Sequence, residues 1–195
     1  MRQKDLLMVL TGPSGSGKTT LSLRLLNEIE GVRKVITTTT RAPRMGEVDG
    51  IDYHFQTPEK FADGLEKNAY VEHAKVYDHY YGVAKEDLER PCDEGKDLVL
   101  CVDVQGALTL KRQWQSAASG RRLLCIFVSP SDLGELERRL LRRGTDDAQT
   151  IRRRLQMAEK ELEILSQFDY YLCSRDKASD WQSLQHIYFA EKMRI

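Results

Sequence analysis

LLMVLTGPSGSGKTT, residues 6–20, carries an unbroken apolar run into a glycine-rich turn that ends on Lys-Thr-Thr. An unalternated run of this length suits a strand buried on both faces, here ending at Thr11. Gly12-Pro13-Ser14-Gly15-Ser16-Gly17-Lys18-Thr19 then fits G-x-x-x-x-G-K-[ST] at every position, with a helix predicted to open at about Gly17. The chemistry explains the spacing. Glycines let backbone N–H groups converge on phosphate oxygens, and a helix N-terminus adds partial positive charge. Lys18 is expected to reach the β- and γ-phosphates, and the Thr19 hydroxyl to ligate magnesium. Residues Gly12 to Thr20 are therefore the predicted triphosphate site, with Thr20 on the same opening turn.

Outward from this motif, strands and helices alternate. Leu98–Val102, Leu123–Val128 and Tyr170–Cys173 are further short apolar runs of the buried-strand kind. Leu21, Leu25 and Ile29 share one helical face. After Pro130, SDLGELERRLLRR starts with Ser131 as the predicted cap and sets Leu133, Leu136 and Leu140 on one side. From Asp147 to Phe168, Ile151, Leu155, Leu162 and Leu165 recur at helical spacing. The implied class is α/β, a parallel sheet of the P-loop NTPase type flanked by helices. Residues 37–84 break the rhythm, being aromatic and turn-rich with one clear helix start at Thr57-Pro58-Glu59. They are predicted to form an inserted lobe. RRGTDD, 142–147, is predicted to be a second, smaller insertion that moves.

Composition narrows the partners. A chain of 195 residues suits one domain, and its 30 basic and 30 acidic residues cancel. No global field advertises nucleic acid or an anionic membrane. Cys92, Cys101, Cys125 and Cys173 form no C-x-x-C pair, and three sit in apolar runs, which suits reduced thiols better than a disulfide frame or a zinc site. LLMVL is too short for a signal-peptide core, and no run approaches the ~20 apolar residues of a membrane span. The expectation is a soluble, cytoplasmic protein.

A P-loop does not name its acceptor. No N-K-x-D, the base-reading motif of small GTPases, occurs. A second feature does point to an acceptor: TTTTRAPRMGEVDGIDYHF, 37–55, holds Arg41 and Arg44 around Pro43, turn glycines Gly46 and Gly50, and the aromatics Tyr53 and Phe55. This stretch is followed by YVEHAKVYDHYYG, VDVQGA and ERRLLRRGTDDAQTIRRRL. With GPSGSGKTT these five motifs, in this order over roughly residues 5–190, resemble the guanylate kinases.

The resemblance implies transfer of a phosphoryl group from ATP to GMP, with magnesium as cofactor and no nucleic-acid or membrane partner. It divides the chain into a core (1–36, 85–141 and 155–195), a nucleoside-monophosphate-binding lobe (37–84) and a lid (142–154). Arg41 and Arg44 would fork onto the GMP phosphate, since planar guanidinium groups match its oxygens. Tyr53 and Tyr81 would donate to the same phosphate, and Thr37 to guanine O6. Glu72 would accept from guanine N1–H and its exocyclic amine, whereas adenine would leave that carboxylate unpaired. Asp103, at a strand's C-terminal end, would orient the acceptor or a magnesium-bound water, although capping the helix before Gln105 is the other reading. Arg139, Arg143 and Arg154 match the lid arginines. Arg138, Arg142, Arg152 and Arg153 read as solvated helix faces. Catalysis would rest on Lys18 and the arginines 41, 44, 139, 143 and 154, with hinges near the ends of 37–84 and near Gly144.

Three positions depart from the family pattern. Val83 stands where a Ser or Thr usually helps hold O6. Cys101 replaces the first acid of D-x-D-x-Q-G, where a packing role is expected. Ser174-Arg175-Asp176 replaces the N-D-D of the adenine side. Two other readings are a protein-binding module of this fold and a kinase of a phosphorylated sugar. The intact Gly17-Lys18-Thr19 and Arg41/Arg44 oppose the first; Glu72 and Thr37 oppose the second.

Overall fold

The structure, a computed structural model, describes residues 5–76, 78–88, 95–114, 121–144 and 146–194. Cys92 lies outside the described residues. The central sheet contains β1 (Leu6–Thr11), β2 (Val32–Lys34), β7 (Asp97–Cys101), β8 (Arg122–Ser129) and β9 (Tyr170–Cys173), all parallel, in the order β2-β7-β1-β8-β9. Every residue of β1 is buried, which is why its sequence does not alternate. Leu6, Met8 and Leu10 pack on one face with Leu21 and Leu25 of α1 (Lys18–Glu28) and Trp181 and Leu184 of α7 (Lys177–Lys192). Leu7 and Val9 pack on the other face with Val104, Ala107 and Leu110 of α4 (Val104–Gln113) and Phe168. Each such fully buried aliphatic side chain contributes about 1.5–3 kcal/mol.

A buried carboxylate ties the sheet to the last helix. Asp97 accepts from the Leu6 N–H at 2.7 Å, the Tyr188 hydroxyl at 2.7 Å and Lys192 Nζ at 3.1 Å. These bonds offset the desolvation of a charge at the start of β7.

Residues 38–84 build a second sheet that the turn-rich sequence does not advertise. Its order is β4-β3-β6-β5, from β3 (Thr38–Thr39), β4 (His54–Phe55), β5 (Tyr70–Val76) and β6 (His79–Ala84). Two of these strands have only two residues, too few for any period to show. Helix α2 (Pro58–Glu66) starts at the predicted place, with Thr57 as its cap. Its Phe61 stacks on Tyr70 at 4.5 Å and Tyr80 at 5.4 Å. After β6 comes the short α3 (Lys85–Leu88). Strand β5 leans on α4, so the second sheet is seated on a helix of the first.

Helices α5 (Leu133–Arg143) and α6 (Ala148–Leu162) share a small core of Leu136, Leu140, Ile151 and Ala158. The cap of α5 is Asp132, not the predicted Ser131. Asp132 Oδ1 accepts from the Gly134 N–H at 2.9 Å, and a carboxylate also complements the helix dipole. Gly144 closes α5 in the left-handed conformation, φ 66°. Among the described residues no helix is long and apolar enough to cross a membrane.

Candidate active site

The glycine-rich loop crosses the carboxyl end of β1 beside β8. At Gly12, φ is +123° and an added Cβ would lie 2.2 Å from the Val128 carbonyl oxygen, so no other residue fits. Lys18 Nζ donates to the Gly12 and Pro13 carbonyls, each at 2.7 Å. Burial lowers the Lys18 pKa, and Cys101, Glu161 and Asp103 oppose that shift. Thr19 and Thr20 are exposed on the first turn of α1. A Cβ at Gly15 would meet Leu140 Cδ2 at 3.0 Å, so α5 rests directly on the loop.

The predicted arginines divide into groups. Arg154 donates to the Ser14 hydroxyl and pairs with Asp146 at 2.9 Å, linking α6 to the loop. Arg143, exposed at the end of α5, has its pKa lowered by partial desolvation and then by repulsion from Arg44 and Arg154. The predicted clamp and lid therefore share one positive field. Arg139 joins the loop to the C-terminal side of the sheet: it donates to the Ser16 carbonyl at 3.5 Å, to Ser174 Oγ at 2.7 Å and to the Arg175 carbonyl at 2.8 Å, and pairs with Glu135. Arg138, Arg142, Arg152 and Arg153 are exposed.

In the second sheet, Arg41, Tyr53 and Tyr81 come together. The Arg41 guanidinium lies 5.5 Å from the Tyr53 ring centre, and the Tyr53 and Tyr81 rings meet edge-on at 6.1 Å. Burial works against the Arg41 charge, but bonds to Glu47 and Tyr81 outweigh it and raise its pKa. The Arg44 side chain is exposed, while its N–H donates to Glu47 Oε2 at 2.7 Å. Thr37 is buried, its carbonyl accepting from the His54 N–H at 2.9 Å.

Glu72, on β5, is 3% exposed. Burial and then the neighbouring Asp103 push its pKa up to about 8. Val83 sits directly opposite Glu72 in the β5–β6 register and is fully buried, so an apolar wall stands beside the carboxylate. Asp103 N-caps α4, its Oδ1 accepting from the Gly106 N–H at 2.9 Å. The capping reading therefore holds, and the same carboxylate also lies in the fields of Lys18, Glu72 and Glu161.

Cys101 does more than pack: its Sγ donates to the Lys18 carbonyl at 3.8 Å, with burial raising the thiol pKa. Asp176 caps α7, accepting from the Ala178 and Ser179 N–H groups. Ser174 is held between Arg139 and Asp180, donating to Asp180 Oδ2 at 2.6 Å.

Four contributors escaped the sequence reading. Glu47 was detectable as an acid three residues after Arg44; it receives Arg41 Nη2 at 2.9 Å through Oε1. Gly106 lies within VDVQGA, against Glu72. Asp180 anchors Ser174 from α7. Glu161, on the far turn of α6, has a buried Oε2 without a hydrogen-bond partner; burial raises its pKa to about 7 despite Lys18. No local pattern marks Glu161, because its neighbours come from other segments.

The family profile described as "Guanylate kinase" matches residues 4–191. A guanylate kinase of Caldanaerobacter subterraneus subsp. tengcongensis is 37% identical over 195 residues, covering all of this chain and 92% of the relative. One from Helicobacter pylori is 42% identical over 170 residues, covering 87% of this chain and 80% of its own. The crystal structure of guanylate kinase from Anaplasma phagocytophilum superposes with a TM-score of 0.79 at 29% identity, over 99% of this chain and 89% of that one.

Proposed function

The chain belongs to the guanylate kinase family, and from that membership we infer that it catalyses ATP + GMP → ADP + GDP. The observation that carries this reading is a continuous contact path: Asp103, just past the end of β7 beside β1, caps α4 through the Gly106 N–H, and Gly106 lies against the Glu72 carboxylate. It joins the phosphate loop to a buried carboxylate suited to the guanine edge.

A GMP phosphate oxygen attacks the γ-phosphorus in line, and the bond to the β–γ bridging oxygen breaks as ADP leaves. The attacking oxygen is already ionised at neutral pH, so no general base is required. Positioning and charge neutralisation carry the reaction. The Gly12–Thr20 amides and Lys18 would hold the ATP phosphates. Arg41, Arg44, Tyr53 and Tyr81 would hold the GMP phosphate, with Glu72 and Thr37 on the base. Arg143 and Arg154 would meet the transferring group, and closure of residues 37–84 and 142–154 would exclude water.

Magnesium fits the donor set. Asp103 and the Thr19 hydroxyl would offer hard oxygen ligands, and among the described residues no group of three His, Cys, Asp or Glu is arranged to hold a metal by itself. This ion characteristically takes one or two protein ligands beside substrate phosphates. When bound it would neutralise charge developing between the phosphates. The unpaired thiols Cys101, Cys125 and Cys173 support a reducing, cytoplasmic setting.

A coupled ADP-release assay across GMP, dGMP, AMP, UMP and ribose phosphates tests the assignment. Turnover with GMP well above AMP and the sugar phosphates is expected. GMP left unphosphorylated with magnesium and ATP present would overturn it in favour of a binding module.

A further inference from the structure

Gly106 is the third residue of α4 and is buried. Its backbone is ordinary helix, so glycine's conformational freedom is not what the position needs. Alanine would make the better helix there. The reason for glycine lies across the interface. A Cβ built on Gly106 would stand 2.9 Å from Glu72 Oε1, 3.0 Å from Cδ and 3.3 Å from Oε2. The three nearest atoms are all carboxylate, and none is backbone.

At Gly12 the close contact is backbone, the Val128 carbonyl, and protects a chain path. The one at Gly106 protects the place of a single functional group. Glu72 has almost no solvent to swing into, and Val83 fills the register position beside it. A methyl on residue 106 would therefore push the carboxylate off α4, toward the space where a base edge would be read. The Gly106 N–H meanwhile holds Asp103 at 2.9 Å. One residue thus sets the positions of two mutually repelling carboxylates.

We propose that Gly106 is a positioning residue for base selection: its missing side chain sets the depth at which the Glu72 carboxylate meets the acceptor's base. The proposal rests on Glu72 reading guanine. Ordinary van der Waals contact begins near 3.4 Å, so alanine displaces the carboxylate by roughly half an ångström. Paired N–H···O bonds have a window of about that width.

The test is Gly106→Ala in the full chain, alone and with Glu72→Asp. The single variant should raise KM for GMP about tenfold or more, leave KM for ATP within about twofold, and keep or raise Tm. In the Glu72→Asp background, where the acid is one methylene shorter, the same methyl should change KM for GMP less than about threefold. An unchanged KM for GMP in the single variant, equal penalties in both backgrounds, or a parallel rise in KM for ATP with a fall in Tm would each overturn the proposal. A variant that fails to fold would overturn it too, since the methyl would then be disturbing backbone. If the unaltered protein turns over no GMP, the functional assignment fails first. A variant defect beside an active parent concerns Gly106 alone.

Discussion

Glu47 receives Arg41 on one oxygen at 2.9 Å and the Arg44 N–H on the other at 2.7 Å. One carboxylate thus holds both ends of the R-x-x-R loop, with the Arg41 and Glu47 side chains mostly buried at 12% and 19% exposure. Glu47→Gln keeps the shape but weakens the charge-assisted bond. KM for GMP should rise about tenfold, equivalent to about 1.4 kcal/mol, with KM for ATP unchanged. Steady-state kinetics on both substrates decides; equal rises would point to a general defect in folding.

Glu72 makes GMP binding depend on pH. With its pKa at about 8, the free site is mostly protonated at neutral pH, whereas guanine's paired donors require the carboxylate. KM for GMP should therefore fall as pH rises from about 6.5 to about 8, and this slope should vanish in Glu72→Gln. Stability runs the other way. The folded pKa is raised above the ordinary 4.5, so the contribution is full below 4.5 and is lost as pH rises through about 8. Glu72→Gln should thus melt higher than the parent at pH 8 and above, a difference that calorimetry across pH would expose.

Val83→Thr restores a hydroxyl where the family pattern has one. A neutral hydrogen bond of about 0.5–1.5 kcal/mol would lower KM for GMP by roughly two- to tenfold. Because Val83 is fully buried in the core, the hydroxyl should also lower Tm by a few degrees. An unchanged or raised KM would sink the idea.

Arg139 anchors Ser174 and the Arg175 carbonyl and reaches the Ser16 carbonyl of the phosphate loop. Arg139→Lys should therefore raise KM for ATP several-fold through the adenine side, with KM for GMP unchanged, because a lysine cannot hold these partners with one planar fork. A fall in kcat with KM for ATP unchanged would instead assign Arg139 to the transferring phosphoryl group.

Residue order alone determined the P-loop and the buried, parallel character of the central strands, because these depend on neighbours in sequence. Main-chain amides converge wherever Gly12, Gly15 and Gly17 recur at that spacing, and strands buried on both faces must read as unbroken apolar runs. Capping was legible only to within one residue, since Ser131 and Asp132 carry equivalent chemistry. Tertiary structure alone decided the second sheet, whose two-residue strands are held by partners many positions away. It also decided the protonation of Glu72, the field joining Lys18 to Asp103 and Glu161, and the reason residue 106 has no side chain. Burial and through-space charge act between segments far apart in the chain, so no local pattern of residues records them.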